Sequence, residues 1–337
     1  MRDALLYQKL DKNKVICNLC AHRCVINPGK EGICKVRVNN AGTLNTKVYG
    51  RVIAQNIDPI EKKPLFHFYP GSTAYSIATA GCNFHCRFCQ NWHISQIIND
   101  EVLTSGKEIA PGQIVSDAVQ AGCKNIAYTY TEPTIFFEYS FDTACLAHEA
   151  GLNNIYISNG YMTYEMLEMI SPYLDAVNID LKAFRDETYR KYIGARLQPI
   201  LDNLKRIKQL NIWLEVTSLI IPGINDDQHE IRDIANFIAT ELGTDVPWHI
   251  SRFFPAYKMK EVPATPFQTL QMAKKIGLEE GLYYVYLGNL GNKRDLSTIC
   301  PECGRILIER TNFGTTKNNI QDHRCPYCGT KIAGIGM

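Results

Sequence analysis

The sequence predicts an α/β fold, a partial or full TIM-like (β/α) barrel with a small cysteine-rich segment at each terminus. Two observations predict it. Short apolar or β-branched runs alternate with helical patterns through the middle of the 337-residue chain, and eight of its 13 cysteines lie in two groups near the ends. Strand–helix alternation within one sheet implies parallel strands joined by right-handed crossovers. A doubly wound open sheet is the alternative.

Seven runs in the central region are rich in Val, Ile, Tyr, Phe or Thr, as strands are. They cover residues 74–79, 125–131, 154–158, 176–181, 212–221, 248–254 and 283–287. Between them, Pro111 suits a first helical position and Asp227 suits an N-cap. Thr265 with Gln268 three residues later predicts a capping box. Chemistry is expected at the C-terminal ends of the strands.

Composition excludes several classes of protein. Apolar residues make up 45% of the chain and charged residues 21%, so a sizeable core can form. The net charge is +2, from 36 basic and 34 acidic residues, which gives no electrostatic case for nucleic acid or an anionic membrane as a partner. The sequence shows no secretory leader and no run of 18 apolar residues. We therefore expect a cytoplasmic protein with reduced cysteines.

The cysteine positions predict three domains. An N-terminal four-cysteine, metal-binding segment covers residues 1–71, a (β/α) barrel covers 72–295, and a C-terminal four-cysteine knuckle covers 296–337. Two further cysteines, Cys123 and Cys145, lie among apolar neighbours and are expected to be packing residues.

Three cysteines open the central domain, directly after its first strand. Cys82, Cys86 and Cys89 have C-x3-C-x2-C spacing, which can wrap three corners of one [4Fe–4S] cluster. A fourth thiolate is missing, so one iron would keep an open position, as the metal in a catalytic zinc site does. The alternative is a zinc site with His85 as the fourth ligand.

This motif resembles the signature of the radical S-adenosylmethionine (radical SAM) enzymes. The resemblance covers most of the chain. It implies that the open iron binds the amino and carboxylate groups of SAM, and that one electron from the cluster cleaves SAM to methionine and a 5′-deoxyadenosyl radical. That radical would abstract hydrogen from the substrate. An electron donor is then an implied partner.

The resemblance also implies contacts to SAM from the strand ends. Glu132 is placed like the carboxylate of the family's Gly-Gly-Glu motif, although Tyr130 and Thr131 stand where the motif has glycines. Asn159 resembles the Asn of an Asn-Gly turn that approaches SAM. Each residue also has a plain structural reading, as a helix-start carboxylate or a turn.

Three residues farther along the chain complete this set. Asp180 and Lys182 resemble the Asp-Leu-Lys of glycyl-radical-enzyme activases, and His249 resembles a histidine near the SAM ribose. A barrel ion pair and a satisfied core histidine are the structural alternatives. The order of all these residues, each at a strand end behind the cysteine loop, favours the family reading.

The C-terminal cysteines form two C-P-x-C-G knuckles, which are a strong metal signal. Four sulfurs give a closed tetrahedral site, and we predict structural Zn²⁺ there. A rubredoxin-like iron that relays electrons is the alternative. The ligands are Cys300, Cys303, Cys325 and Cys328.

The N-terminal cysteines have C-x2-C-x3-C-x9-C spacing, which does not decide the metal. Structural zinc is favoured, a second iron–sulfur cluster is also possible, and His22 could replace one thiolate. A segment this short has little core and is expected to need a metal. The ligands are Cys17, Cys20, Cys24 and Cys34.

Within the family, the sequence resembles relatives of the pyruvate formate-lyase activating enzyme, and in particular the radical SAM member of the AmmeMemoRadiSam system. Cys-x-Leu-Cys-x-His-x-Cys ahead of the cluster loop and the C-terminal knuckle carry that resemblance. Residues 90–110 contain no cysteine, unlike activases with ferredoxin-like clusters. The resemblance implies a protein substrate or AmmeMemoRadiSam partner proteins. A non-catalytic zinc-ribbon scaffold and an RNA-modifying radical SAM enzyme are the alternatives.

Overall fold

The computed structural model describes residues 1–96, 99–290, 293–311 and 314–337, apart from the side chains of Asp100, Thr104 and Lys293. The chain divides into two compact units. One comprises residues 1–58, 73–176 and 193–195, and the other comprises residues 59–72, 177–192 and 196–337. Over the described ranges, no helix is long and apolar enough to cross a membrane.

The strands are, in chain order, β1 Arg2–Asp3, β2 Tyr7–Lys9, β3 Val15–Cys17, β4 Val25–Ile26, β5 Arg37–Asn40, β6 Thr43–Thr46, β7 Arg51–Val52, β8 Ala54–Pro59, β9 Thr73–Ala78, β10 Lys107–Glu108, β11 Asn125–Tyr128, β12 Asn153–Ser158, β13 Ala176–Asp180, β14 Trp213–Ile220, β15 Trp248–Arg252, β16 Val285–Gly288, β17 Thr298–Ile299, β18 Ile306–Thr311 and β19 Gly314–Asn318. The α-helices are α1 Trp92–Ser95, α2 Asp100–Ser105, α3 Pro111–Gln120, α4 Phe137–Glu149, α5 Tyr164–Ile170, α6 Asp186–Thr188, α7 Gln198–Gln209, α8 Gln228–Phe237, α9 Phe267–Glu279 and α10 Lys293–Leu296.

The largest sheet has eight strands in the order β16-β15-β14-β13-β12-β11-β9-β8. β11 pairs in parallel with β9 and β12, and β15 pairs in parallel with β14 and β16. From β9 to β16 the order follows the chain without reversing, apart from the short β10, which lies in another sheet. A doubly wound sheet would reverse its order at a switch point. The topology therefore confirms the barrel-type fold, in its partial form.

The first unit also holds the small antiparallel sheets of the N-terminal segment, β1-β6-β5 and β2-β3-β4. This segment buries several apolar side chains, which the sequence did not predict. They include Val15, Leu19, Ile26, Val36 and Leu44. The predicted boundaries at residues 71 and 295 are not tested by this division and stay predictions.

The predicted helix starts are confirmed at two of three places. Pro111 lies in the first turn of α3, and the Asp227 carboxylate accepts hydrogen bonds from the first backbone N–H groups of α8. The capping box at Thr265 is wrong. Pro266 is the N-cap of α9, and the Thr265 hydroxyl donates to Ile220 O at 2.6 Å instead.

The C-terminal sheet β17-β18-β19 belongs to the second unit. Its core is continuous with that of β16 and contains two of the four knuckle cysteines. The buried residues of this core are Phe66, Tyr284, Tyr286, Leu296, Cys300, Leu307, Ile308, Cys325 and Ile332.

Candidate active site

The three-cysteine loop follows β9 in the first unit. Cys82 and Cys86 are buried, and Cys89 is half-buried. The Cys82 sulfur lies 3.4 Å from both the backbone N of Phe84 and the side-chain Nδ2 of Asn159. N–H groups aimed at a sulfur stabilise a thiolate ligand, so the donor set fits a bound iron–sulfur cluster.

Burial, followed by the charge of Glu132 and the neighbouring thiols, raises the pKa of the Cys82 thiol well above its ordinary value. Metals bind the thiolate form, so a bound cluster replaces this proton.

A glycine lets this loop pack against the N-terminal segment. Gly81 has φ +104°, and a Cβ there would lie 2.7 Å from Val36 Cγ1 and 3.2 Å from the Cys34 carbonyl oxygen. The contact with Val36 would force a shift, and the positive φ strains any larger residue at this position. The N-terminal four-cysteine segment therefore forms the wall behind the cysteine loop.

Glu132 is fully buried at the end of the second parallel strand of this unit. Its carboxylate accepts hydrogen bonds from Thr134 N, Thr134 Oγ1 and Ser158 Oγ at 2.6–3.0 Å, and from Asn159 N at 2.8 Å. Burial raises its pKa despite these bonds, which act to lower it. Four protein donors occupy the carboxylate, so its direct effect is to fix the turn that carries Asn159.

Tyr130 has a left-handed backbone conformation. Its φ is +62°, in the left-handed region that costs a non-glycine residue roughly 1 kcal/mol. Asn91 Nδ2 donates to the Tyr130 carbonyl at 2.7 Å, Asn56 Nδ2 lies 3.1 Å from its hydroxyl, and that hydroxyl donates to Asp58. These three anchors, which the sequence did not reveal, hold the strained turn beside the cysteine loop.

In the second unit, Asp180 and Lys182 contact each other. Lys182 Nζ lies 2.6 Å from Asp180 Oδ2, at the C-terminal end of β13. The Lys182 side chain is largely buried, and the Asp180 side chain is about one-third exposed at 35%. The ion-pair alternative therefore holds in this structure, while the predicted contacts of both residues to SAM stay predictions.

His249 forms a buried pair with Glu215, which sequence reasoning missed. His249 Nε2 lies 2.6 Å from Glu215 Oε2, and the imidazole stacks on Tyr286 at 5.3 Å. Glu215 also accepts from the backbone N of Phe66 and of His67. Burial acts to raise the pKa of Glu215, but the hydrogen bond and charge of His249 hold it below its ordinary value. A carboxylate inside an apolar strand was the available signal.

A cavity of about 530 Å³ lies in the second unit, lined by residues of β14, β15 and β16. Apolar walls from Phe66 and other side chains surround a few polar groups, as in many ligand sites. Thr217 and Glu61, both buried, line it, and Thr217 Oγ1 and Glu61 Oε2 have no hydrogen-bond partner in the structure.

The four C-terminal cysteines converge. Their sulfurs all lie within 4.8 Å of one another, with 3.6 Å between Cys300 and Cys328 and 3.7 Å between Cys303 and Cys325. A tetrahedral ion with Zn–S bonds of about 2.3 Å holds its sulfurs roughly 3.8 Å apart. This group therefore fits a single metal ion.

The four N-terminal cysteines line one small cavity together with His22, Arg37 and Asn83. In the described part of the chain, the C-terminal cysteines are the group that brings three or more possible metal-ligand atoms within 4.8 Å of one another. No three of the N-terminal sulfurs lie this close together. Nor do the loop cysteines, and His85 is exposed beside them.

Comparison with known proteins decides the family. The Radical SAM superfamily profile matches residues 76–238, which include the cysteine loop. An uncharacterized protein of Methanocaldococcus jannaschii is 46% identical over 334 residues, which cover 98% of this chain and 99% of that protein. The chain belongs to the radical SAM superfamily. It is therefore an enzyme of the radical SAM type, and the alternative of a non-catalytic scaffold is wrong.

More distant relatives are activating enzymes. A putative glycyl-radical enzyme activating enzyme of M. jannaschii is 26% identical, covering 66% of this chain and 82% of that protein. The pyruvate formate-lyase-activating enzyme of Clostridium pasteurianum is 23% identical, covering 55% and 81%. The predicted likeness to pyruvate formate-lyase activating enzymes is confirmed. The closer likeness to the AmmeMemoRadiSam member stays a prediction.

Solved structures of radical SAM proteins share the fold. Streptococcus suis SuiB bound to S-adenosylmethionine gives a TM-score of 0.51 at 11% identity, covering 68% of this chain and 53% of that chain. A radical SAM methyltransferase from Sphaerobacter thermophilus gives 0.50 at 16% identity, covering 71% of both chains. Membership of the family implies a [4Fe–4S] cluster, SAM and an electron donor.

Proposed function

We propose that this radical SAM enzyme abstracts hydrogen from a protein substrate, as an activating enzyme does, with its cluster held by Cys82, Cys86 and Cys89. The observation that carries the proposal is the cysteine loop itself. Its three sulfurs lie at a strand end, two of them are buried, and N–H donors face Cys82. When bound, the cluster supplies the single electron that cleaves SAM.

The residues around the loop position and enclose SAM. Asn159 is held by Glu132 through its backbone N–H, and its amide reaches the Cys82 sulfur, so it spans from the strand end to the cluster ligand. We assign Glu132 to positioning Asn159. The left-handed turn at Tyr130 lies beside the cysteine loop, and its carbonyl accepts a hydrogen bond from Asn91 Nδ2.

In the second unit, Asp180, Lys182 and His249 are the proposed contacts to SAM. Lys182 supplies a buried cation for a carboxylate, and Asp180 holds it in place. His249 keeps one ring nitrogen on Glu215, which leaves the other for a ribose hydroxyl.

The activating-enzyme relatives support a protein-borne substrate. Two of them are named for activating glycyl-radical enzymes or pyruvate formate-lyase. RNA modification is the remaining alternative. RNA-binding proteins are usually strongly basic, and the net charge of +2 does not favour this alternative.

At the C-terminal knuckle we propose structural Zn²⁺. The sulfur spacing supports one tetrahedral ion, and Cys300 and Cys325 are packed in the local core with Leu307 and Ile308.

The test is anaerobic turnover of the full chain with SAM and dithionite. We expect 5′-deoxyadenosine, and a change in the EPR signal of the reduced cluster when SAM is added. Cys86→Ala should abolish both. Asn159→Ala should keep the iron but weaken the effect of SAM on the EPR signal, because the cluster ligands remain. A fully loaded, reduced protein that neither binds nor cleaves SAM would contradict the proposal.

A further inference from the structure

The N-terminal four-cysteine group offers a site that the radical chemistry does not require. Cys17, Cys20, Cys24 and Cys34 line one small cavity. The question is which metal the four sulfurs hold.

The spacing of the sulfurs argues against a single ion. The four C-terminal sulfurs all lie within 4.8 Å of one another, as ligands of one tetrahedral ion must. Among the N-terminal four, no three sulfurs lie within that distance of one another. The loop trio of Cys82, Cys86 and Cys89, which the family assigns to a [4Fe–4S] cluster, shares this wider spacing. A cube of four irons holds its thiolates farther apart than one ion does.

Two buried residues that line the cavity beside the four cysteines each carry an N–H donor without a hydrogen-bond partner. Arg37 Nε and Asn83 Nδ2 have no hydrogen-bond partner, and both residues are 1% exposed. Buried donors without a partner cost free energy unless a ligand satisfies them. The bridging sulfides of an iron–sulfur cluster are acceptors that a zinc ion lacks, and the Arg37 guanidinium also offsets the negative charge of the thiolates.

We propose that Cys17, Cys20, Cys24 and Cys34 hold a second iron–sulfur cluster, of the [4Fe–4S] type, in place of a structural zinc ion. The four-thiolate shell is closed, so this cluster has no open iron for SAM. It transfers electrons.

The cluster lies against the radical loop. His22 Nε2 contacts the carbonyl of Asn83 at 2.8 Å, and Asn83 is the residue after Cys82. Gly81 packs on the Cys34 carbonyl from the other side of Cys82. In the transfer step, one electron leaves the reduced N-terminal cluster and one arrives at the loop cluster, and an external low-potential one-electron donor restores the first.

Acid-labile sulfide decides the metal, because neither zinc nor a rubredoxin-like iron contains any. In full-length protein purified anaerobically from iron-replete cells, without reconstitution, we expect about eight sulfides per chain for two cubes. The variant Cys82→Ala/Cys86→Ala/Cys89→Ala should keep about four. The matched variant Cys20→Ala/Cys24→Ala should also keep about four, now in the loop.

A wild-type count of about four sulfides, with two zinc ions per chain, would overturn the proposal even if a variant failed to fold. EPR of the dithionite-reduced wild type tests the placement. Two reduced clusters this close broaden each other's signal, whereas each cysteine variant should give the narrow signal of one cluster. A wild-type spectrum equal to the sum of the two variant spectra would exclude the contact between the sites.

Discussion

The two ends of the chain each carry four cysteines, but they use them differently. At the C-terminus the sulfurs form a tight tetrahedron, and two of the four side chains are part of the local hydrophobic core. At the N-terminus the sulfurs are more widely spaced beside a small cavity, and buried apolar side chains such as Val15, Val36 and Leu44 pack the segment. The first arrangement suits a structural ion, and the second suits a group that does chemistry.

Each of the two units also contains a buried arginine that faces a buried glutamate, and the two arginines extend the comparison. Arg37 pairs with Glu138 at 2.9 Å, and Arg310 lies 3.7 Å from Glu61. Arg310 also donates to backbone carbonyls of Phe66 and Leu296, so it ties β18 to the core of the second unit. Arg37 instead lines the cysteine cavity. Arg310 therefore stabilises the fold, whereas Arg37 both stabilises the fold and contributes to the cysteine site.

The largest expected effect comes from removing a ligand at the C-terminus. Cys325→Ala should release the metal and lower the free energy of unfolding of the knuckle by on the order of 5 kcal/mol, because metal binding and folding are coupled there. Hydrogen exchange over residues 298–332 would measure it. Cys20→Ala should raise exchange over residues 1–46 much less, since that segment keeps its core. Equal losses at the two ends would break the comparison.

Replacing either arginine should lower the stability by a similar amount, but the two variants should differ in their EPR spectra. Arg37→Met and Arg310→Met should each lower the free energy of unfolding by about 3–5 kcal/mol, because each removes the cation that compensates a buried carboxylate. Only Arg37→Met should change the EPR signal of the N-terminal cluster.

The matched double variants Arg37→Met/Glu138→Met and Arg310→Met/Glu61→Met should recover much of the stability. An EPR change in Arg310→Met as large as that in Arg37→Met would contradict the separate roles of the two residues.

The C-terminal side should also respond to pH through His67, which is fully buried between Ala333 O and the Tyr286 hydroxyl. Burial lowers the pKa of His67 from 6.5 to about 4, although the charge of Glu215 acts in the opposite direction. The unfolded chain binds a proton below pH 6.5 that the folded chain does not. His67 therefore leaves stability unchanged above pH 6.5 and removes about 3 kcal/mol as the pH falls to about 4.

Urea unfolding of the wild type and His67→Gln between pH 4 and 7.5 isolates this contribution, since thiolate protonation affects both proteins alike. The wild type should lose more stability on acidification than the variant does. Parallel profiles would show that His67 is not the responsible group.

The sequence predicted the seven long strands of the central region because each is a run rich in β-branched and aromatic residues, and β9 begins within one residue of its predicted start. The short strands of the two terminal segments were not predicted. The three cysteine groups could also be predicted, because the members of each group follow recognisable spacings along the chain. The sequence could not predict partners that meet only in the fold. The Thr265 hydroxyl bonds to Ile220 O, and Glu215 meets His249 from the neighbouring strand. Cysteine spacing along the chain likewise does not fix the distances between sulfurs, so the choice between zinc and a cluster needed the structure.

The smallest expected effect is a change in the reduction potential of the N-terminal cluster. It is measured by removing one polar group near the cysteines at each end of the chain. Asn83→Leu removes the unpartnered Nδ2 donor from the N-terminal cavity. Hydrogen bonds to cluster sulfurs favour the more negative, reduced state, so their loss should lower the reduction potential of the N-terminal cluster.

The C-terminal counterpart is Thr330→Val, which removes the hydroxyl 3.3 Å from the Cys328 sulfur. Zinc has no redox couple, so this change should leave every potential unchanged. EPR-monitored redox titration of both variants, alongside the sulfide count, measures the difference. A potential that moves with Thr330→Val would place a redox-active iron at the knuckle, and one that ignores Asn83→Leu would remove Asn83 from the environment of the N-terminal cluster.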